Sequence, residues 1–112
     1  MKIVYGRKLT EFAQRHPNAR SGLEHWFRLM AQGSFRSIVE MRQTFPHADI
    51  RKEHSIYSGR RVPYSNRETK YTVFNIGGNK ARLTAIVQYE FQRVIIEKVE
   101  THAEYDKSNK RR

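Results

Sequence analysis

The chain has 112 residues, of which 22 are Lys or Arg and 11 are Asp or Glu, a formal net charge of +11. That length supports one domain with a modest core, and so large a basic excess predicts an anionic partner, nucleic acid before a membrane surface. Without cysteine, disulfides, thiolate zinc sites and cysteine nucleophiles are excluded. No apolar run reaches spanning length, and the apolar part of "MKIVYGRKL" is too short for a signal peptide, so the expectation is a soluble, cytoplasmic protein.

In chain order, "KIVY" predicts a first strand and "GRKLTEFAQRH", with Leu9, Phe12 and His16 at helical spacing, a short helix that Pro17 ends. Asn18 is placed to cap a second helix, in which Leu23, Trp26, Phe27 and Met30 form a core stripe ending near Gly33. Ser34 is placed to cap a third, "FRSIVEMRQTF", with Ile38 and Met41 on one face and Phe45 near its end before Pro46. Residues at about 51–69 hold no period and mix Gly, Pro and Ser with cations, which reads as a long basic loop or a hairpin. Then "YTVFNI", "ARLTAIVQY" and "RVIIEKV" predict three antiparallel strands joined as a meander, and a basic tail follows at about 107–112.

On the strand "ARLTAIVQY", Leu83, Ala85, Val87 and Tyr89 share one face, so Arg82, Thr84, Ile86 and Gln88 share the other. Lys80 and Arg82, two residues apart beside the Gly77-Gly78-Asn79 turn, fit one phosphate. The alternative is a pair of solvated strand residues, or an ion pair with Glu97 on the next strand. In "THAEYDK", His102 can exchange a proton near neutral pH and Tyr105 can hydrogen-bond or stack on a base. A surface histidine and a tyrosine covering the core edge is the plainer reading of the same residues. Tyr57, Arg60, Arg61 and Tyr64 interleave aromatics with cations, a pattern suited to RNA, and Lys110 in the tail can contact RNA too. His16, His25, His47 and His54 have no metal-ligand spacing, so neither metal nor cofactor is expected.

Three stretches, "ADI" at 48–50, "VFNIGGNKARL" at 73–83 and "THAEYDK" at 101–107, make the chain resemble the HigB-like toxins of the RelE/ParE superfamily, and the layout of the N-terminal half agrees. The resemblance implies an α+β, RelE-like fold: an N-terminal strand and two to three helices packed on a twisted antiparallel sheet of three to four strands, with RNA held on the opposite side. It also implies a type II toxin-antitoxin toxin that is a ribosome-dependent, metal-independent mRNA endonuclease. Arg82 matches the superfamily's phosphate-binding arginine, His102 and Tyr105 fall in its catalytic segment, and Lys80, Asn75 and Asn79 match further motif positions. The implied partners are the ribosome with its mRNA and a HigA-like helix-turn-helix antitoxin, through which alone operator DNA would be met. The segment between "ADI" and "TVFNI" is longer than in such relatives. A non-catalytic RNA- or ribosome-binding module and a gyrase-directed toxin on the same fold are the alternatives.

Overall fold

The computed structural model describes residues 1–54, 56–57, 60–61, 68–78 and 80–104, of which 53–54, 56–57, 60–61 and 68–69 are described by their backbone alone. In chain order the elements are β1 (Lys2–Val4), α1 (Arg7–Arg15), α2 (Arg20–Gln32), α3 (Ile38–Thr44), β2 (Asp49–His54), β3 (Ile56–Tyr57), β4 (Arg60–Arg61), β5 (Glu68–Ile76), β6 (Ala81–Gln88) and β7 (Arg93–Thr101). The α+β architecture agrees with the sequence. The main sheet differs from it in having five strands, in the order β1-β7-β6-β5-β2, and in being mixed, because β1 runs parallel to β7 while the other pairings are antiparallel.

The helices lie on one side of the sheet because their apolar stripes and the inward positions of β5 and β6 have nowhere else to be dry. Leu9, Phe12 and Ala13 of α1, Leu23, Trp26 and Met30 of α2, and Met41 of α3 meet Phe74, Ile76, Leu83 and Ala85 of the sheet, all buried. Phe74 anchors this core, edge-on to Trp26 at 5.5 Å between ring centroids and to Phe45 at 5.2 Å. Such aromatic contacts add about 0.5–1.5 kcal/mol each beyond the area they bury. Phe27 departs from the expected stripe: it is 44% exposed, on the rim of α2 facing α1 near Gly6.

Two helix caps also differ. A 3-10 turn, Pro17–Ala19, carries the chain into α2, so Ala19 rather than Asn18 holds the cap position and makes no side-chain cap bond. Ser37, not Ser34, caps α3, accepting from the Glu40 amide at 3.4 Å. Ser34 instead sits in a connection stitched to Gln92, whose side-chain amide donates to the carbonyls of Phe35 at 2.6 Å and Tyr89 at 2.8 Å.

The first residues of the segment read as a loop are strand. β2 continues to His54 and pairs residue for residue with β5 from Glu68 to Val73, and the short β3 and β4 pair as a separate hairpin. A bulge in β7 opposite Thr84 and Ala85 leaves Glu97 out of the register. Its carbonyl accepts from Lys8 Nζ of α1 at 2.7 Å, so the irregularity also ties the first helix to the sheet.

Candidate anion-binding site on the open face of the sheet

Strand alternation carries one set of side chains away from the helices. Across the strands, Asn75 of β5, Arg82 of β6 and Glu100 of β7 are register partners and therefore share a face, as do Asp49, Val73, Thr84 and Lys98 one step along. Arg82 stands in the central strand of this row, half-buried. The carboxylate beside it is Glu100 rather than Glu97, which the bulge takes out of the ladder. Glu100 is mostly buried, its side chain 16% exposed, and pairs with Lys98 at 3.4 Å.

A cleft of about 530 Å³ opens over this row toward β2, lined by Arg82 and Asn75 together with Arg42, His47, Asp49 and Arg51. Three guanidinium groups against one carboxylate make it electropositive. Arg42 is oriented by its Nε bond to the Ala48 carbonyl at 2.9 Å and lies 3.8 Å from Asp49. Guanidinium forks hold phosphate oxygens two at a time, so an anion entering the cleft meets geometry as well as charge. His47 adds an imidazole to the lining of the same cleft. Arg42, His47 and Arg51 are additions to the sequence reading. Alternation from "ADI" into Arg51 was the available signal for the last of them, and it was obscured because that stretch looked like loop.

Asn75 and Arg82 are brought together, but Lys80 is not in this cleft. β6 begins at Ala81, and Lys80 belongs to the turn before it. Its side chain lies along Gly77, and it lines a second cleft, between that turn and the start of α2, which Asn75 also borders. The two expected cations thus stand on opposite sides of Asn75.

His102 follows β7 directly and is half-buried in a helical turn over 102–104. That turn begins with a reciprocal pair: the Thr101 amide donates to Glu104 Oε1 at 2.8 Å, and the Glu104 amide donates to Thr101 Oγ1 at 3.1 Å. This is a capping box, written in the sequence as "THAE". The backbone hydrogen bond from Thr101, with the nearby charges of His16 and Arg15, holds the Glu104 carboxyl below the ordinary glutamate range. Tyr105, Asn79 and Lys110 lie outside the described residues, and Arg60 and Arg61 are described only as the backbone of β4.

Helices on one side of a mixed sheet, with an arginine-lined cleft on the other, define a small α+β protein with an electropositive cleft. Residues 63–108 match a family model described as HigB_toxin, the RelE-like toxic component of a toxin-antitoxin system. Over 107 residues the chain is 30% identical to an "mRNA interferase HigB" of Escherichia coli O6:H1 strain CFT073, covering 96% of this chain and 90% of the relative. It is also 30% identical over 106 residues to the "mRNA interferase toxin HigB" of Escherichia coli strain K12 and to an "mRNA interferase HigB" of Shigella flexneri, covering 95% of this chain and 88% of each. The chain belongs to the HigB family of RelE-like toxins. Among the described residues, no helix is long and apolar enough to cross a membrane.

Proposed function

We propose that this protein is an mRNA interferase: a ribosome-dependent endoribonuclease, the toxin of a type II toxin-antitoxin pair acting in the cytoplasm. The observation that carries the reading is Arg82 on the central strand, in a cleft that Arg42 and Arg51 make electropositive. The relatives' names, which assign them mRNA interferase activity, support the same class.

In the reaction, the ribose 2′-oxygen forms a bond to the adjacent phosphorus and the bond from phosphorus to the 5′-oxygen breaks. The products are a 2′,3′-cyclic phosphate and a free 5′-hydroxyl. One group takes the proton from the 2′-hydroxyl, another returns a proton to the 5′-oxygen, and the extra charge on the phosphoryl oxygens must be held. Arg82 holds that charge. His102 transfers a proton, with Tyr105 positioning or stacking on the base beside it, and Asn75 and Asn79 contact the RNA. His47 is a second proton-transfer group, favoured by its place in the Arg82 cleft. Lys80 grips the RNA backbone one position away. Arg60, Arg61 and Lys110 serve docking to ribosomal RNA, an attraction that weakens steeply with salt. Because the ribosome orients the message, few catalytic groups are needed. A HigA-like helix-turn-helix antitoxin neutralises the toxin, and the net charge of +11 speeds its association with an acidic segment.

The test is parallel induction of wild type and Arg82→Ala with mapping of mRNA 5′ ends. Loss of one such electrostatic contact costs about 2.7–4 kcal/mol, so cleavage in translated regions falls by a hundredfold or more. Undiminished cutting by the variant refutes the assignment. Binding to ribosomes with intact mRNA in the wild type points to a non-catalytic module instead.

A further inference from the structure

The second cleft, on the far side of Asn75 from Arg82, has the chemistry of a nucleotide pocket. Its volume is about 420 Å³, its floor is apolar, with Trp26 and Phe45, and its rim is polar, with Ser21, His25, Asn75 and Lys80. Trp26 is 2% exposed, and its indole Nε1–H has no acceptor among the described residues. A buried donor left in that condition costs about 1–3 kcal/mol, and an indole nitrogen can only donate, so an occupant that brings an acceptor relieves it. Gly77 and Gly78 both take positive φ, +58° and +73°, and the space where a Cβ of Gly78 would stand is open to 4 Å. Backbone can therefore approach an anion closely on the rim that also carries the Lys80 ammonium.

From these features we infer that the α2–turn cleft is a subsite for a single ribonucleotide. Its base lies against the apolar floor, where a small shift of the buried indole brings the Trp26 Nε1–H within reach of a base acceptor, and its phosphate meets Lys80 and the glycine turn. A planar group bearing acceptors and an attached phosphate satisfies floor and rim together, which an inorganic anion or an apolar ligand does not. Asn75 borders both clefts, so the nucleotide held here is the neighbour of the one whose phosphate meets Arg82. This last step rests on the proposed cleavage reaction, whereas occupancy of the cleft does not.

Trp26 is the chain's one tryptophan, so fluorescence excited at the red edge of tryptophan absorption reports on this cleft alone. Purified protein is titrated with each of the four ribonucleoside 5′-monophosphates and, separately, with inorganic phosphate. The proteins compared are wild type, Lys80→Ala, Ser21→Tyr and Arg82→Ala, with matching folding verified by circular dichroism and thermal midpoint. Ser21 is exposed on the rim, so a tyrosine there fills the cleft without entering the core. The expected result is a saturable change with at least one nucleotide, weakened about tenfold or more by Lys80→Ala. Ser21→Tyr abolishes the change and Arg82→Ala retains it. The inference is overturned by the absence of saturation, by an undiminished response in Ser21→Tyr, or by inorganic phosphate binding as well as any nucleotide. Failure of the cleavage reading appears separately, as wild-type mRNA cutting by Arg82→Ala.

Discussion

Glu104 controls whether the chain after β7 begins a helix or leaves the sheet unguided, and replacing it isolates that control. Its two reciprocal bonds with Thr101, at 2.8 and 3.1 Å, satisfy amides at the start of the turn that carries His102. Loss of a cap costs about 0.5–2 kcal/mol, and the exposure of Glu104 puts this one toward the low end. About 1 kcal/mol multiplies the open population roughly fivefold. In Glu104→Ala, amide exchange over 101–104 should therefore accelerate about fivefold at neutral pH. RNA cleavage should fall by a similar factor if His102 acts from that turn. Glu104→Gln keeps an acceptor at the same position and should behave like wild type. The acid side gives a second arm. A carboxyl whose folded pKa is depressed contributes stability above its unfolded pKa, and that contribution is lost as pH falls through the folded value. Protection of the turn in the wild type should thus disappear only below the ordinary glutamate range, while Glu104→Gln shows no such acid loss. Equal exchange in wild type and Glu104→Ala, or equal damage from Gln and Ala, refutes the capping argument.

Two further substitutions test the scaffold through the sign of their effect. Gly22→Ala would ordinarily stabilise a helix by up to about 1 kcal/mol. Here the new Cβ would stand 2.9 Å from the Gly77 amide nitrogen and 3.0 Å from Ile76 Cγ2, and backbone cannot step aside. The expected outcome in urea unfolding is a net loss of about 1–3 kcal/mol, as for overpacked cores; a gain would show that α2 and the turn are not in contact. Tyr89→Phe runs the other way. Burial holds the phenol above its ordinary pKa against the pull of Arg42, and its hydroxyl has no partner among the described residues. Removing it should leave thermal stability unchanged or raise it by about 1 kcal/mol, and a clear drop in melting temperature would mean the hydroxyl is bonded.

Most of the fold could be read from hydrophobic period, and the misreadings fall where that signal is weak for a physical reason. The meander from β5 to β7 is legible because each strand has one dry face. β2 is not, since it is an edge strand in which Arg51 and Lys52 supply charge on both faces, as edges do to resist pairing with other chains. The parallel pairing of β1 is silent as well: it spans three residues and joins the two ends of the chain, a contact no local pattern encodes. Phe27 has the spacing of a core residue but sits where α2 passes the rim of α1 and leaves it half in solvent. At the site, Arg82 could be placed by alternation alone, and Lys80 could not. The period of two was extended one residue beyond the strand, into a turn where it has no meaning.

Lys80's displacement changes how the cations of "NKARL" would work in the proposed reaction. Two charges on one strand face would converge on a single phosphate, and their mutual repulsion would oppose holding them there. Separated by Asn75, they face different clefts and suit successive positions along an extended chain whose phosphates are themselves spaced apart. The contact that enforces the separation is between glycines: Gly22 of α2 lets the Gly77 backbone approach so closely that the turn is fixed against the helix, and Lys80 lies across Gly77 rather than swinging toward Arg82. The apolar packing of α2 on the sheet therefore sets the distance between the two cations. On the proposed function, anything that loosens that packing should disturb the spacing of the RNA contacts before it disturbs the affinity of either one.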